Sequence, residues 1–338
     1  MYIVTGGAGM IGSALIWELN RRGITEILVV DHLGYSEKWR NLSKLRYLAY
    51  LPKELFAKHL RQDTLEEILA AESVYGQTPG RIQGIAHLGA CSSTTELDTD
   101  YMLQNNLEYS KALCIYAQTR GIRYIQASSA ATYGGGEHGF SDNPENLDRL
   151  RPLNIYGYSK HLFDLWARRT GRLNSLASLK FFNVYGPNEY HKGEMRSMVH
   201  KAVEQIRDQG FVRLFRSYKK EYPDGGQLRD FIYVKDCALI LADLLERPGV
   251  NGLFNLGTGQ ARSWRDLACA VFAAMDLEPR IEYVEMPEVL RGKYQYFTQA
   301  DMGALSRAMG PNRPLPRVLE EGVNDYVQNY LTVEDGYL

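Results

Sequence analysis

The chain has 338 residues and a formal net charge of −1, with 39 basic and 40 acidic side chains. This balance argues against a nucleic-acid partner or a basic membrane-binding surface. No apolar run approaches the length of a membrane span, and the N-terminus opens on a core strand rather than on a secretory signal, so we expect a cytoplasmic protein.

The first residues predict a dinucleotide-binding turn. Tyr2–Val4 has the composition of a buried strand, and Ile11–Leu19 has the spacing of an amphipathic helix. Between them, glycines allow a tight turn and let a pyrophosphate approach the amides at the helix N-terminus. A second strand, Glu26–Val30, ends at Asp31, whose carboxylate is placed to accept the adenosine ribose hydroxyls. A glycine-rich turn alone is common, but here all the surrounding elements occur in order.

Apolar strands then alternate with helical patterns through the first half of the chain. The segment Arg40–Gly80 is charged and helical in character, and we expect it to cover one face of a sheet. Further strands are predicted at Gly84–Leu88, Tyr124–Ser128 and Ser178–Phe182. This alternation is typical of an α/β fold with a Rossmann-type, doubly wound parallel sheet.

The four cysteines are far apart and have no metal-type spacing; they are Cys91, Cys114, Cys237 and Cys269. We expect reduced thiols at small buried positions and no metal site.

A second motif lies at Tyr156 and Lys160, which are four residues apart and therefore on one helix face. A phenol has an ordinary pKa of about 10 and is a poor base at neutral pH. A neighbouring ammonium, together with an oxidised nicotinamide ring, would lower that pKa. Ser128 and Ser129 lie at the carboxyl end of a strand, where one hydroxyl could hold a substrate oxygen. In the alternative interpretation, Tyr156 is an ordinary helix aromatic and the serines cap a turn.

The alternation becomes irregular after about residue 180. Strands are expected near Val212–Phe215 and Asp230–Val234, and helices near Val199–Gln209 and Trp264–Met275. We predict a Rossmann domain over residues 1–180 and a smaller, mainly substrate-binding lobe over residues 181–338, from which later segments return to the sheet.

Together these motifs resemble the extended short-chain dehydrogenase/reductase superfamily, of the NAD-dependent epimerase/dehydratase type. Within it, the chain is similar nearly end to end to the ADP-glycero-manno-heptose 6-epimerase family. The stretches that carry the resemblance are Gly89–Glu96 (GACSSTTE), Ser128–Gly135 (SSAATYGG), Tyr156–Lys160 (YGYSK), Phe182–Pro187 (FNVYGP), His191–Gly193 (HKG) and Tyr294–Asp301 (YQYFTQAD).

The resemblance implies transient oxidation at the sixth carbon of a heptose and return of the same hydride to the opposite face. Delivery to both faces requires an acid/base group on each side of the carbon. The family's pattern places Tyr156 and Lys192 in these roles, with Ser129 beside the phenol and Lys160 on the nicotinamide ribose. A solvated surface lysine is the alternative for Lys192, whose catalytic role would need a pKa lowered by burial or by cationic neighbours.

The resemblance also implies a set of cofactor contacts. They are Gly6, Gly9, Met10, Ile11, Gly12, Asp31, His32, Lys38, Lys53, Leu88, Gly89, Ala90, Cys91, Ser92, Asn105, Lys160 and Val184. Asp31 alone favours NAD, because a carboxylate repels a 2′-phosphate. Lys38 and Lys53 could bind that phosphate, unless they are ordinary surface lysines, and the resemblance favours NADP, with NAD as the alternative.

The implied substrate is a nucleotide-diphosphate sugar, ADP-heptose, as in lipopolysaccharide biosynthesis. Its contacts would be Asn183, Phe215, Ser217, Arg229 and Tyr294. A guanidinium suits a diphosphate, although Arg229 could instead pair with Asp230. The chain departs from the family pattern at Glu194, at Lys201 and in a longer Lys219–Gly226 loop, so the nucleotide or sugar could differ. The resemblance also suggests a homo-oligomer, a pentamer in the family.

Three alternatives remain at this point. A sugar-nucleotide 4,6-dehydratase would carry an Asp–Glu pair where this chain has Ala130 and Ala131. A UDP-hexose 4-epimerase is possible but is not expected to have the motif around Lys192. A non-catalytic NADP-binding regulator would typically lack Tyr156.

Overall fold

The computed structural model of the protein describes residues 1–71, 80–291 and 294–338. The strands are β1 (Tyr2–Thr5), β2 (Ile27–Asp31), β3 (Ala49–Pro52), β4 (Gly84–His87), β5 (Arg123–Ser129), β6 (Ala177–Phe181), β7 (Asn183–Tyr185), β8 (Val212–Phe215), β9 (Leu228–Tyr233), β10 (Gly252–Leu256), β11 (Ala261–Ser263) and β12 (Ile281–Val284).

The helices are α1 (Met10–Arg21), α2 (Lys53–Gln62), α3 (Leu65–Ala71), α4 (Thr99–Met102), α5 (Tyr109–Thr119), α6 (Ile155–Arg169), α7 (Met198–Gln209), α8 (Val234–Glu246), α9 (Trp264–Ala274), α10 (Glu288–Arg291), α11 (Gly303–Met309) and α12 (Leu319–Tyr326). Short 3-10 segments lie at Glu37–Leu42, Ala130–Tyr133, Pro144–Arg149, Arg172–Ser175 and Tyr190–Met195, and π-helical segments at Leu103–Glu108 and Val327–Leu331.

The predicted doubly wound parallel sheet is confirmed. Seven strands pair in the order β10-β6-β5-β4-β1-β2-β3, and every pairing is parallel. The strand order reverses at β1, which pairs with β2 on one side and β4 on the other. Ligands of such sheets bind beyond the carboxyl ends of the strands at this point of reversal.

The inner strands are buried on both faces, because successive side chains point to opposite sides of a strand. Ile3 of β1 packs into a core with Leu113 of α5 and Phe163 of α6. Its neighbour Val4 packs into a second core with Leu15 of α1 and Leu241 of α8. Helices therefore cover both faces of the sheet.

The predicted strands Gly84–Leu88, Tyr124–Ser128 and Ser178–Phe182 agree with β4, β5 and β6 to within one residue at each end. The helical prediction for Arg40–Gly80 is wrong in part, because this segment contains β3 at the edge of the sheet. β3 is four residues long with only Leu51 buried, so its sequence lacks a continuous apolar run. Residues 72–79 of the segment lie outside the described residues.

The later part of the chain builds a third core with two small sheets. β9 pairs with β7 in parallel and with β11 antiparallel, and β8 pairs with β12. This core packs α7, α9 and α12 around β8 and β9. β10, from the same half of the chain, lies in the large sheet beside β6.

The cysteines are free thiols, of which Cys114 and Cys237 are buried. Cys91 and Cys269 are half-exposed, so the expectation that all four are buried is wrong for these two. Within the described ranges, no helix is both long enough and apolar enough to span a membrane.

Candidate active site

The turn after β1 requires its glycines. Gly6 has a φ of +67°, and a β-carbon there would lie 2.5 Å from the backbone nitrogen of Gly89 after β4. A β-carbon at Gly12 would lie 2.1 Å from the carbonyl oxygen of Gly6. The bare backbone therefore lets the start of α1 approach both strand ends closely, and it leaves a cradle at the helix N-terminus. Such a cradle accommodates a pyrophosphate.

The carboxylate of Asp31 is buried at the end of β2 and already has several partners. One oxygen accepts a hydrogen bond from the backbone nitrogen of Ala8 at 2.8 Å, and the other pairs with Lys38 Nζ at 2.5 Å. Lys53 Nζ donates to Asn105 Oδ1 at 2.9 Å, and His32 Nδ1 lies 3.2 Å from Glu54. The polar side chains predicted for the adenosine end of the cofactor thus lie together.

A groove runs from Asp31 along the strand ends to Tyr156. Its adenosine end is lined by Asp31, His32, Lys38, Lys53, Cys91 and Asn105, among others. Its other end is lined by Gly9, Met10, Ile11, Gly12, Leu88, Ser92, Tyr156, Lys160 and Lys192, among others. Gly6, Asp31, Lys38, Gly89 and Ala90 line both ends. Val184 is half-buried on β7 and packs against the hydrophobic cores.

Three consecutive residues at the end of β5 contact α6. The carbonyl oxygen of Ala127 accepts a hydrogen bond from Lys160 Nζ at 2.8 Å. The next residue, Ser128, donates from its hydroxyl to Asp164 at 2.6 Å. The hydroxyl of Ser129 hydrogen-bonds the phenol of Tyr156. Of the two serines considered from the sequence, Ser129 is therefore the one beside the phenol, because the Ser128 hydroxyl is used inside the core.

Burial dominates the titration of this pair. It lowers the pKa of Lys160 to about 8, because a buried ammonium loses its hydration. Burial also raises the pKa of Tyr156, and the hydrogen bond from Ser129 offsets only part of that rise. The direction predicted from a neighbouring ammonium is thus reversed in the protein alone, where desolvation of the phenolate is the larger effect.

Lys192 lies on the 3-10 segment Tyr190–Met195 and reaches the same groove. Its Nζ is 3.1 Å from the sulfur of Met10, the first residue of α1. Burial lowers the pKa of Lys192, and the carboxylate of Glu189 acts in the opposite direction. Lys192 is therefore not a solvated surface lysine. The direction of its pKa shift is the one that an acid/base role requires.

The segment that carries Lys192 is held from two sides. Glu189 is buried and accepts hydrogen bonds from the backbone nitrogen and hydroxyl of Ser197, each at 2.6 Å, and from the Tyr326 phenol at 2.9 Å. Asn188 donates from its side chain to the Ser13 hydroxyl of α1 at 2.8 Å. These contacts fix the Lys192 segment both to α1 and, through Tyr326, to the third core.

Arg229 is a buried cation on β9. Its guanidinium donates to the carbonyl oxygens of Leu228, at 2.8 Å, and Gln295, and it lies 5.2 Å from the ring centre of Tyr294. Burial lowers its pKa. Among the described residues, Arg229 has no carboxylate within ion-pair distance. A buried cation without an anionic partner is costly, which indicates a position for an anionic ligand.

The alternative pairing of Arg229 with Asp230 is wrong. The Asp230 carboxylate accepts hydrogen bonds from the backbone nitrogens of Thr258, Gly259 and Ala300 at 2.7, 2.9 and 3.0 Å. Asp230 therefore joins three backbone segments and is turned away from its neighbour's guanidinium.

The remaining predicted substrate contacts lie partly around Arg229. Phe215 meets Tyr294 edge to face with ring centres 6.4 Å apart. The backbone nitrogen of Ser217 donates to Asp224 at 2.7 Å, within the long loop. Asn183 is exposed at the start of β7.

The two substitutions relative to the family pattern contact each other. Lys201 Nζ lies 3.2 Å from the Glu194 carboxylate and donates to its carbonyl oxygen at 2.6 Å. They thus form one ion pair between the Lys192 segment and α7.

Two side chains near the site were not identified from the sequence. Gln295 donates to the carbonyl oxygen of Gly134, and its own carbonyl accepts from Arg229, so it links the Arg229 cluster to the turn after β5. Lys180 lies in the apolar strand β6 yet is completely buried. Its position in an apolar strand could have identified Lys180 from the sequence as a paired residue, because buried lysines almost always have a partner.

Comparisons with known proteins agree on one family. A sequence model of the NAD dependent epimerase/dehydratase family matches residues 2–257. The ADP-L-glycero-D-manno-heptose-6-epimerase of Nitratidesulfovibrio vulgaris (strain Hildenborough) is 56% identical over 338 residues, which cover 100% of each chain. The protein of the same name from Fusobacterium nucleatum subsp. nucleatum is 47% identical, again with 100% of each chain covered.

Solved structures show the same fold. The ADP-L-glycero-D-manno-heptose-6-epimerase of Helicobacter pylori superposes with a TM-score of 0.78 at 24% identity, covering 98% of this chain and 96% of that one. A UDP-N-acetylglucosamine 4-epimerase from Methanobrevibacter ruminantium gives a TM-score of 0.76 at 23% identity, covering 97% and 96%. At these identities the similarity shows a shared fold only, since the two enzymes are named for different substrates.

Proposed function

This chain belongs to the NAD dependent epimerase/dehydratase family, and from that membership we propose that it is an ADP-glycero-manno-heptose 6-epimerase. The reaction is an isomerisation that inverts the sixth carbon of the heptose. One observation of the structure carries the proposal: Tyr156 of α6 and Lys192 of a separate segment line the same groove as the glycine turn. Two titratable groups from different elements are what inversion at one carbon needs.

The groove residues fit a nicotinamide dinucleotide. The cradle at Gly6 and Gly12 would receive the pyrophosphate, and Asp31 would face the adenosine ribose. Lys160, which lines the groove with Tyr156, would hold the nicotinamide ribose. When bound, the nicotinamide ring supplies the hydride acceptor for oxidation and the hydride donor for reduction.

The protein's own part is to move protons and orient the sugar. On oxidation, one of Tyr156 and Lys192 accepts the proton of the C6 hydroxyl while the hydride leaves carbon. On reduction, the other group donates a proton to the ketone oxygen as the hydride returns to the opposite face. The Ser129 hydroxyl, already bonded to the phenol, holds the sugar oxygen on the Tyr156 side.

The test of the proposed activity is incubation of the purified protein with each C6 epimer of ADP-glycero-manno-heptose. Proton NMR is expected to show conversion of either epimer to the same mixture. UDP-glucose and UDP-galactose serve as controls, and they are expected to remain unchanged. Interconversion of the UDP-hexoses without heptose inversion would instead establish a UDP-hexose 4-epimerase.

We further propose NADP as the cofactor, within the NAD-dependent family. Lys38 and Lys53 lie at the adenosine end of the groove, where a 2′-phosphate would be placed. Their present partners, Asp31 and Asn105, would have to share them with that phosphate. Nucleotide released by denaturing the purified protein is expected to be NADP or NADPH. Release of NAD alone would contradict this assignment.

Lys53→Ala tests the same assignment with a matched control. Loss of a charged hydrogen bond to a phosphate is expected to weaken NADP binding by about 10- to 100-fold. NAD binding, which needs no such cation, is expected to change little. Lys58→Ala, on the same helix α2, is the control. An equal effect of Lys53→Ala on both dinucleotides would contradict the assignment.

Arg229→Met separates substrate binding from folding. Loss of the guanidinium is expected to raise KM for ADP-heptose by about 10- to 100-fold, the value of a charged hydrogen bond to phosphate. Stability in thermal unfolding is expected to be unchanged or higher, because a buried cation without an anionic partner is replaced by an apolar chain. A large loss of stability with an unchanged KM would show that Arg229 has only a structural role.

The resemblance also supports two proposals on the protein's setting: a cytoplasmic location and a homo-oligomeric state. Light scattering is expected to give a multiple of the 38.4 kDa chain mass.

A further inference from the structure

Asp164 and Lys180 form a buried ion pair that the proposed chemistry does not use. Lys180 Nζ lies 3.0 Å from Asp164 Oδ2, and both side chains are completely shielded from solvent. The same ammonium donates to the Thr132 hydroxyl at 2.6 Å and lies 4.8 Å from the ring centre of Tyr133. Burial of two charges has a large desolvation cost, so such a pair is weak support for stability alone.

The Asp164 carboxylate joins three elements around the end of β5. Besides the contact with Lys180 of β6, it accepts hydrogen bonds from the Ser128 hydroxyl of β5 at 2.6 Å and the Ser178 hydroxyl of β6 at 2.8 Å. Asp164 itself is on α6, one turn beyond Lys160. Residue 128 therefore cannot shift along the strand without breaking a buried hydrogen bond to a carboxylate.

Ser128 lies between the two strand residues that contact the catalytic pair. Ala127 accepts the hydrogen bond from Lys160, and Ser129 bonds the phenol of Tyr156. A displacement of Ser128 would move both contacts together. The geometry thus connects a carboxylate outside the groove to the two side chains that the groove presents.

The charges that surround these groups are few. Lys160 faces His87 of β4 and Asp164 of its own helix, and burial lowers the pKa of His87. Asp164 faces Lys180, Tyr133 and His161. Burial lowers the pKa of His161 to about 4. The carboxylate of Asp164 raises the pKa of Lys160 against the larger effect of burial. The Asp164 carboxylate is thus a negative charge that acts on the Lys160 ammonium.

We propose that Asp164 is a positioning residue for the catalytic pair: through its hydrogen bond with Ser128 it fixes the end of β5, and from one helical turn away its negative charge acts on Lys160. Lys180 is the buried counter-ion of this carboxylate. The inference rests on the proposed function only for the roles of Tyr156 and Lys160.

Asp164→Asn tests the electrostatic half of the proposal, because it keeps the side chain's shape and removes its charge. The titration of Lys160 is followed by NMR of protein labelled with 13C at the lysine ε-carbons, with the signal assigned by its loss in Lys160→Met. The midpoint is expected near pH 8 in the native chain. In Asp164→Asn it is expected to fall by about one pH unit or more, since an opposite charge is removed.

The matched control is Asp236→Asn. Asp236 is also a buried carboxylate, paired with Arg317, but it lies on α8 away from the groove. This variant is expected to lose stability while leaving the Lys160 midpoint unchanged. The same midpoint in the native chain, Asp164→Asn and Asp236→Asn would overturn the electrostatic half. Because this titration uses no substrate, its result is independent of whether the protein inverts ADP-heptose.

A corresponding change is expected in the pH dependence of kcat. The ammonium form of Lys160 is present below its pKa and is lost as pH rises through it, so kcat is expected to fall at alkaline pH. In Asp164→Asn this alkaline limb moves to lower pH by the same shift as the NMR midpoint, with KM little changed. An unshifted kcat profile in a folded Asp164→Asn would contradict the proposal.

Ser128→Ala tests the positional half, and it remains informative if Asp164→Asn does not fold. Loss of this hydrogen bond is expected to lower kcat by about three- to tenfold. Ser178→Ala removes the other hydroxyl from the same carboxylate but is not next to the contacts of Lys160 and Tyr156, and it is expected to keep kcat. Equal kcat values for the two variants would overturn the positional half.

Discussion

Tyr156→Phe is expected to lower kcat for heptose inversion by about 100- to 10,000-fold, the range for removal of a positioned acid/base group. The hydroxyl is the only part of the side chain that is lost, and its partner Ser129 remains. The ring still fills its place in the groove, so bound nucleotide is expected at the native amount. Proton NMR of either ADP-heptose epimer measures the rate, and absorbance of the released nucleotide measures cofactor content.

Tyr158→Phe is the matched control for this variant. Tyr158 is on the same helix two residues later, and its side chain is largely exposed. The same hydroxyl is removed there, without expected effect on kcat. Native turnover in Tyr156→Phe would exclude the phenol as an acid/base group, and a parallel loss of nucleotide would show that the residue acts in cofactor binding instead.

Lys192→Met is expected to have a loss of the same order, about 100- to 10,000-fold in kcat, because inversion needs a proton carrier on the second face. Methionine keeps an unbranched apolar chain of similar length, while the amine and its contact with the Met10 sulfur are lost. The expected effect is on kcat rather than on KM, because the group acts on the reacting oxygen.

Lys111→Met is the control for removal of a lysine charge. Lys111 lies on α5 and pairs with Glu108 at 2.8 Å, remote from the groove. It is expected to retain native kinetics. If Lys192→Met raises KM while kcat is kept, the amine only binds substrate, and inversion does not use two opposed groups.

The sequence was sufficient for the elements with strong local signals. β1, the glycine turn and the start of α1 follow from an apolar run and from glycines that no other residue can replace at those distances. β4, β5 and β6 were predicted because each contains a short apolar run, although β5 also includes Gln126 and β6 includes Lys180. β3 was missed because an edge strand of four residues, mostly half-exposed, has no such composition.

The sequence predicted which residues form the site, but it did not predict the direction of the pKa shift of Tyr156. Spacing placed Tyr156 and Lys160 on one helix face, and the resemblance added Lys192. The choice of Ser129 over Ser128 required the partner Asp164, which is distant in the chain. The rise in the pKa of Tyr156 depends on burial in the folded groove, which local sequence does not determine. Similarly, Arg229 is identified as a position for an anionic ligand only from the structure, in which no carboxylate of the described residues pairs with it.

The central claim is that one groove holds a dinucleotide that takes a hydride from the sugar and returns it to the same carbon. Incubation of the purified protein with ADP-glycero-manno-heptose in deuterated buffer tests this claim directly by NMR. Inversion at C6 is expected with protium retained on that carbon. Incorporation of deuterium at C6 during inversion would show proton exchange with solvent, and it would contradict the hydride mechanism assigned to this groove.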